Sequence, residues 1–296
     1  MGLERITRVY KTVGNCEIRA DAYPCRHNSP CIVWIHGGAL IGGHRGGIRQ
    51  EQLELYHRSG YAVVSIDYRL APETRLPGII EDLRDAFAWV RSEGNGLFGI
   101  DPSRIATVGH SAGGYLTLMS GFSIDPAPSA LVSFYGYGNI TGDWYSRPDP
   151  FYCRQPAVGE GDAHASVGEM PISAPPEPND RGTYYLYLRQ RGLWPKEVSG
   201  LDPVSEPRSF DKFEPIRNVG VDYPPTMLLH GDQDTDVPYL QSVLMAKELE
   251  SRGIEHELVT IEGGGHGFDG LGMGDPVVAS AFRRVIEFLD GHLKGD

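Results

Sequence analysis

Short apolar runs recur along the chain and predict buried β-strands. They occupy residues 31–35 (CIVWI), 61–66 (YAVVSI), 105–108, 130–135, 227–229 and 257–261. Runs of this length suit a strand and are too short for a helix, and unbroken apolar strands imply a sheet that is covered on both faces. Ahead of them, residues 5–13 and 17–23 straddle Gly14-Asn15 and predict a hairpin at the edge of the sheet.

Segments with helical periodicity lie between these runs. Apolar residues fall on one face over residues 79–92 and again over 278–289, where Asp275-Pro276 provides an N-cap and a first helical residue. A further helix is marked by four apolar residues: Leu240, Leu244, Met245 and Leu249. Strands and helices in alternation predict an α/β fold with a doubly wound, mostly parallel sheet.

The stretch from about residue 138 to 223 breaks this rhythm. Prolines and glycines are frequent in it, and only residues 183–191 show a helical pattern. A loop of this length inside a compact domain is usually functional or disordered. Its many aromatic residues argue against disorder, because disordered segments are poor in them. We therefore predict a single domain over residues 1–296 with a cap inserted at approximately 138–223, the alternative being a mobile surface excursion.

Composition and charge narrow the class of protein. The chain has 296 residues, of which 40% are hydrophobic and 22% charged, and its net charge is −12 with both signs mixed along the chain. A nucleic-acid surface needs a basic stripe, so we expect no nucleic-acid partner. No stretch approaches the roughly 18–20 apolar residues of a membrane span. Because the N-terminus also lacks an export-signal pattern, we expect a soluble, cytoplasmic protein without a membrane partner.

Cysteine usage points to neither a metal site nor a disulfide framework. The four cysteines are Cys16, Cys25, Cys31 and Cys153, and none of them forms a C-x-x-C pair. In a chain of this size without an export signal, we expect reduced thiols.

A serine in a glycine-rich turn is the first candidate for chemistry. Residues 109–113 (GHSAG) fit the pattern G-x-S-x-G, in which the serine occupies a sharp turn between a strand and a helix. The context agrees, because an apolar strand precedes the motif and residues 114–119 can begin a helix. This predicts Ser111 as a nucleophile.

The turn after the first apolar run offers backbone donors. Residues 36–39 (HGGA) directly follow CIVWI. Acyl transfer passes through a tetrahedral oxyanion that needs N–H donors held in advance, and a turn of small residues exposes such amides. We assign the oxyanion hole to the amides of Gly38, Ala39 and Ala112. His36 is interpreted as a structural hydrogen-bonding residue rather than a base.

A histidine and three aspartates complete the candidate constellation. His266 lies in a glycine-rich loop after a predicted strand. The chain order serine, acid, histidine favours a late histidine as the general base. We choose His266 over His256, which lies at the head of a strand, and over His292, which lies in the tail. The acid must come between the serine and the histidine, and residues 230–238 (HGDQDTDVP) follow another strand. One of three aspartates there should hold the imidazole and the others should form the turn. Spacing alone does not choose among Asp232, Asp234 and Asp236.

Four motifs together resemble the esterase/lipase branch of the α/β-hydrolases. They are HGGA at 36–39, DYRLAPE at 67–73, GHSAGG at 109–114 and GGGHGF at 263–268. The second is similar to the corresponding segment of hormone-sensitive-lipase-like esterases, where it braces the active-site turn. This resemblance implies structural roles for Asp67 and Arg69. The oxyanion motif ends in Ala39 rather than a third glycine, which a backbone donor tolerates.

The acid segment departs from that family, whose usual form is closer to D-P-L-x-D. The pattern H-G-x-x-D-x-x-V-P instead resembles acetyl-xylan and feruloyl-type esterases and the peptidases related to prolyl oligopeptidase. In that pattern the acid is the aspartate four residues after the histidine, which implies Asp234, with Asp236 as the alternative.

The resemblance implies a serine carboxylesterase that hydrolyses a small or medium carboxylic ester through an acyl-enzyme intermediate, without a metal or an organic cofactor. Many relatives dimerise, so a homodimer is one expectation for the oligomeric state. Two alternatives stay open. One is an arylformamidase or another amide or thioester hydrolase in the same site, and the other is a non-catalytic ligand-binding protein on the same scaffold.

Overall fold

Eight strands form one mostly parallel sheet in a computed structural model that describes residues 3–175 and 181–295. The strands are β1 (Ile6–Val13), β2 (Cys16–Tyr23), β3 (Ser29–Ile35), β4 (Ala62–Ile66), β5 (Ile100–His110), β6 (Ala130–Phe134), β7 (Thr226–Gly231) and β8 (His256–Ile261). Their order across the sheet is β1-β2-β4-β3-β5-β6-β7-β8. From β4 to β8 all neighbours are parallel, whereas β2 runs antiparallel to both β1 and β4. The predicted α/β class and edge hairpin are confirmed.

Helices cover both faces of this sheet. They are α1 (Gln50–Arg58), α2 (Leu76–Phe98), α3 (Ala112–Ser123), α4 (Asp143–Ser146), α5 (Glu160–His164), α6 (Arg181–Arg191), α7 (Trp194–Ser199), α8 (Leu240–Ser251) and α9 (Pro276–Leu293). Successive side chains of a strand point to opposite faces. In β3, Ile32 and Trp34 accordingly pack into a core with α1 and α9, and Val33 packs into a core with α2 and α3. The apolar runs are thus buried on two sides, as an unbroken apolar strand requires.

The predicted helix is confirmed as α8, but two of the four apolar residues that mark it are not buried. Leu240 and Leu244 are 57% and 37% exposed, although Met245 and Leu249 are buried. The buried face of this helix also carries Ser242, whose hydroxyl contacts Nδ1 of His230 at 2.7 Å. A polar side chain with a hydrogen-bond partner can replace an apolar one inside the protein, so a hydrophobic pattern misses this face.

In the long segment between β6 and β7, the helical pattern over residues 183–191 is confirmed as α6, and α4, α5 and α7 are helices that the sequence did not predict. The described part of this segment lies against the loops that follow β3 and β4. The indole N–H of Trp194 donates to the carbonyl of Ala39 at 2.9 Å, and the amide of Leu70 donates to the carbonyl of Ile172 at 2.8 Å. These loops leave the carboxyl ends of parallel strands. The role of the segment as a cap stays a prediction.

Three of the sequence's other expectations can be compared with the described residues. The four cysteines carry free thiols. Within residues 3–175 and 181–295, no helix has the length and apolar character needed to cross a membrane. Across the same residues, no cluster of three or more His, Cys, Asp or Glu side chains has the arrangement of a metal site.

A buried ion pair braces the segment that follows β4. Asp82 in α2 is fully buried and accepts hydrogen bonds from both Nε and Nη2 of Arg69 at 2.7 Å, while Lys11 lies 2.8 Å from it. Asp67 accepts hydrogen bonds from the Arg45 guanidinium at 2.6 Å and from the Arg45 backbone amide at 2.7 Å. These contacts support structural roles for Asp67 and Arg69.

Removing one partner of this pair should destabilise the fold strongly. We expect Asp82→Ala to lower the free energy of unfolding by about 3 kcal/mol or more, because it leaves the buried Arg69 cation with only the exposed Glu81 carboxylate. Asp85→Ala is the matched control: its side chain also pairs with Lys11 but is 45% exposed, so a loss below about 1 kcal/mol is expected. Urea denaturation of both variants measures the difference, and equal losses would contradict the assignment.

Candidate active site

The structure brings Ser111, His266 and Asp234 into one hydrogen-bonded chain. Ser111 follows β5, Asp234 follows β7 and His266 follows β8, so all three leave the same edge of the parallel sheet. His266 Nε2 lies 3.0 Å from Ser111 Oγ, and His266 Nδ1 lies 2.7 Å from Asp234 Oδ2. Ser111 lies 155 residues before His266 in the chain and Asp234 lies 32 residues before it, yet both contact it in space.

Ser111 occupies a strained turn between β5 and α3. Its φ of 56° and ψ of −118° lie where residues with a side chain are uncommon. The turn closes tightly because both flanking glycines touch backbone: a Cβ on Gly109 would lie 2.1 Å from the carbonyl oxygen of Gly113, and one on Gly113 would lie 2.1 Å from that of Ile35. This packing explains why small residues are needed on either side of the serine.

The turn at residues 37–39 lies directly against this serine. A Cβ on Gly37 would be 3.3 Å from the Cβ of Ser111. The carbonyl of Gly38 accepts hydrogen bonds from Ile41 and Gly42, both at 2.9 Å. Because the N–H and C=O of a trans peptide point in opposite directions, the N–H of Ala39 is turned away from those loop residues.

The candidate oxyanion donors are backbone amides in the turn after β3 and at the start of α3. Among the described residues, the amides of Gly38, Ala39 and Ala112 donate to no backbone carbonyl outside helices and strands. Ala112 is the first residue of α3, where backbone N–H groups lack helical partners and the helix dipole favours negative charge. Backbone N–H groups at such positions can stabilise an anion that forms beside the serine.

His36 braces the same turn from inside the protein. Its ring is buried, stacks on Tyr68 with the centroids 4.2 Å apart, and places Nδ1 2.7 Å from the carbonyl oxygen of Gly37. Burial lowers the pKa of His36 to about 4. These features fit a structural residue rather than a base.

Asp234 is held by four hydrogen bonds. Its Oδ1 accepts from the amides of Asp236 at 2.8 Å and Val237 at 2.9 Å, and its Oδ2 contacts His266 at 2.7 Å and His230 at 3.2 Å. Burial raises the pKa of this carboxyl, but the hydrogen bonds from the two histidines outweigh burial and hold the pKa well below its usual range. The carboxylate is therefore ionised and fixed in orientation.

The other two aspartates have different surroundings. Asp232 Oδ1 accepts from the amide of Gly263 at 2.8 Å, which joins the two loops that carry the site. Asp236 Oδ2 lies 3.4 Å from Nε2 of His266, the nitrogen that faces Ser111. Only Asp234 contacts Nδ1 among these three, so the geometry distinguishes the aspartates that spacing left equivalent.

His230 is a member of the site that the sequence analysis did not identify. Its buried ring places Nδ1 2.7 Å from Ser242 Oγ and Nε2 3.2 Å from Asp234 Oδ2 and 3.0 Å from the carbonyl oxygen of Val237. Since two acceptors face Nε2, this nitrogen carries the hydrogen. The signal was present as the histidine of the H-G-x-x-D pattern, four residues before Asp234.

Charge around His266 favours its protonated form. Burial lowers the pKa of His266, but the hydrogen bond to Asp234 and the negative charges of Asp236 and Asp234 outweigh it, so the pKa is raised above 6.5. The imidazole can therefore accept a proton readily. The ring is also fixed by the edge of Tyr135, whose centroid is 4.7 Å away.

Two family models match separate parts of the chain. The one described as BD-FAE matches residues 22–131, and the prolyl oligopeptidase family matches residues 183–296.

Several curated relatives are polyketide synthases. The non-reducing polyketide synthase pkbA of Emericella nidulans is 28% identical over 347 residues, covering 97% of this chain and 14% of the synthase. The synthase Preu6 of Preussia isomera is 28% identical over 88% of this chain and 13% of its own length. The chain thus spans about one seventh of the length of these relatives.

Solved structures share the whole fold. A protein of unknown function from Staphylococcus aureus has a TM-score of 0.81 at 22% identity, covering 97% of this chain and 99% of its own. Esterase 2 of Thermogutta terrifontis has a TM-score of 0.68 at 22% identity, with 100% and 95% covered. The esterase LipW of Mycobacterium marinum has a TM-score of 0.70 at 21% identity, with 98% and 82% covered. The chain has the α/β-hydrolase fold of these esterases.

The buried histidines should titrate in two separate ranges. We expect His266 to gain its proton above pH 6.5, because two carboxylates surround its ring. His36 and His110 should remain neutral at pH 5, because burial lowers the pKa of each to about 4. Long-range ¹H–¹⁵N spectra of the imidazoles, recorded from pH 5 to above pH 6.5, report the protonation of all three rings. The variant His266→Gln identifies the signal of His266 by its loss. A His266 signal that titrates below pH 6.5 would contradict the site geometry.

Proposed function

We propose that the chain is a serine hydrolase that cleaves a small or medium carboxylic ester through an acyl-enzyme intermediate. The observation that carries this proposal is the relay of hydrogen bonds from Ser111 Oγ to His266 at 3.0 Å and from His266 to Asp234 at 2.7 Å. A hydroxyl alone is a weak nucleophile, and an adjacent oriented base is what activates it.

In the first half-reaction, Ser111 Oγ attacks the ester carbonyl carbon while His266 Nε2 takes the hydroxyl proton. The negative charge moves to the carbonyl oxygen, where the amides of Gly38, Ala39 and Ala112 donate to it. His266 then gives its proton to the alkoxy oxygen, the carbon–oxygen bond breaks and the alcohol leaves.

In the second half-reaction, water attacks the acyl carbon and His266 takes its proton. The bond to Ser111 Oγ breaks, the serine recovers a proton from His266 and the carboxylic acid is released. Asp234 stays ionised throughout and keeps the hydrogen of the resting imidazole on Nδ1, so that the lone pair of Nε2 faces Ser111.

Two observations guide the choice of substrate. Two fold neighbours are named esterases, and one of them has structures described as propionate-bound and butyrate-bound, which supports short acyl groups. The curated relatives are named polyketide synthases, which makes an acyl thioester the second candidate. A panel of p-nitrophenyl esters of increasing acyl length, matched thioesters and formylkynurenine separates these classes.

Loss of the serine hydroxyl should abolish turnover without harming the fold. Ser111 is a half-exposed residue in a turn, so we expect Ser111→Ala to retain the thermal unfolding midpoint of the parent chain. Its kcat/KM for p-nitrophenyl butyrate should fall by about 10³-fold or more, because the nucleophile is gone. A fluorophosphonate probe should label the parent chain and not the variant. Binding of an ester without turnover by the parent chain would instead indicate a non-catalytic protein.

The aspartates should differ sharply when each is changed to asparagine. Asp234→Asn replaces the acceptor on His266 Nδ1 by a group that favours the wrong tautomer, so we expect kcat to fall by about 10³–10⁴-fold. Asp232→Asn, the matched control, changes a loop contact to Gly263 and should keep kcat within about threefold of the parent, because no reacting group is touched. Steady-state assays on one ester measure both, and a larger effect at Asp232 would refute the assigned acid.

A further inference from the structure

A second carboxylate faces the reacting nitrogen of His266. Asp236 Oδ2 lies 3.4 Å from Nε2, and the same nitrogen lies 3.0 Å from Ser111 Oγ. Asp234 binds the other ring nitrogen, so the two carboxylates stand on opposite sides of the imidazole. The resting relay from serine to acid makes no use of Asp236.

Asp236 is anchored in this orientation through its other oxygen. Oδ1 accepts hydrogen bonds from three donors, namely the hydroxyls of Tyr152 at 2.8 Å and Tyr185 at 2.5 Å and the Arg189 guanidinium at 2.6 Å. Arg189 also donates to the backbone carbonyl of Asp236 at 3.0 Å. These donors come from the segment between β6 and β7. The side chain is therefore fixed, with Oδ2 directed at the site.

In the acyl-enzyme, Ser111 Oγ carries no hydrogen, so Oδ2 of Asp236 faces an Nε2 lone pair that no longer accepts from the serine. Asp234 keeps the imidazole hydrogen on Nδ1, so neutral His266 presents a lone pair at Nε2. Two acceptors 3.4 Å apart do not bond to each other. One molecule with two hydrogens can satisfy both, since a water oxygen can lie about 2.8 Å from each of them.

We propose that Asp236 positions the hydrolytic water of the second half-reaction. Water donates one hydrogen to His266 Nε2 and the other to Asp236 Oδ2, which leaves a lone pair of its oxygen free to attack the acyl carbon. As that carbon–oxygen bond forms, the proton moves to Nε2 and then to Ser111 Oγ when the acyl bond breaks. Asp236 accepts a hydrogen bond and exchanges no proton. The inference rests on the proposed acyl-enzyme mechanism.

The proposal separates the two half-reactions. In acylation the nucleophile is Ser111, which the turn at residues 109–113 already holds against His266. In deacylation the nucleophile is a free water molecule, whose orientation has to be supplied by the protein. A group that orients water should therefore affect deacylation far more than acylation.

The test compares Asp236→Ala with Asp149→Ala. Both variants remove one carboxylate from Arg189, since Asp149 Oδ2 lies 2.7 Å from that guanidinium. Asp149 has no hydrogen bond to His266 among the described residues, so it controls for disturbance of Arg189. The burst of p-nitrophenol from p-nitrophenyl butyrate measures acylation. Samples are quenched rapidly at successive times, and the fraction of acyl-enzyme in each, determined by intact mass, measures deacylation.

We expect Asp236→Ala to slow deacylation by about tenfold or more and acylation by less than about threefold, so that acyl-enzyme accumulates. Asp149→Ala should change both rates by less than about threefold. Equal slowing of both half-reactions by Asp236→Ala, no slowing of deacylation, or accumulation in Asp149→Ala would overturn the inference.

Two further measurements keep the result interpretable. If Asp236→Ala does not fold, Asp236→Asn keeps the size of the side chain and an acceptor for Arg189, and the same selective slowing of deacylation is expected. Fluorophosphonate labelling of Ser111 in the parent chain tests the mechanism itself. A parent chain with neither labelling nor a burst would contradict the proposed function, whereas a normal burst with unselective slowing would contradict only the role of Asp236.

Discussion

The hydrogen bond between Asp234 and Nδ1 of His266 is the contact on which the geometry of the site depends. It determines which ring nitrogen carries the hydrogen and therefore whether Nε2 presents a lone pair to Ser111. The contact in turn requires that β7 and β8 end at the same edge of the sheet, and their parallel register from Thr226 with His256 to Gly231 with Ile261 provides this. His230 and two backbone amides fix the carboxylate from behind.

Much of the fold was predictable because burial on two faces leaves a simple signature. The unbroken apolar runs identified the parallel strands, and the glycines around Ser111 identified a turn that tolerates no larger residue. The face of α8 was not predictable from apolar periodicity, since Ser242 is buried through its contact with His230. Between β6 and β7, the pattern over residues 183–191 identified α6, whereas α4, α5 and α7 escaped detection because they are short and are stabilised by packing of aromatic rings, such as Tyr145 on Trp194 at 4.1 Å.

Spacing in the sequence located the candidate site but did not distinguish its three aspartates, and only the family resemblance implied Asp234. Asp232, Asp234 and Asp236 share one loop, and every second residue there is acidic. Their difference arises from contacts with distant residues: Gly263 for the first, His266 for the second and Arg189 for the third. Such contacts are properties of the tertiary structure, so neither spacing nor turn chemistry reports them.

Arg189 connects the inserted segment to the electrostatics of the site. Its guanidinium is 1% exposed, pairs with Asp149 and Asp236, and lies 4.5 Å from the ring centroid of Tyr152. A buried cation needs such partners, because an uncompensated charge in the interior is strongly destabilising. The negative charge of Asp236 raises the pKa of His266, and the positive charge of Arg189 lowers it. Without this cation, a carboxylate beside Nε2 would favour the imidazolium more strongly and reduce the fraction of the free base. Arg189 therefore holds Asp236 in place and also limits how far Asp236 raises the pKa of His266. In this way the packing of the inserted segment is linked to the basicity of His266.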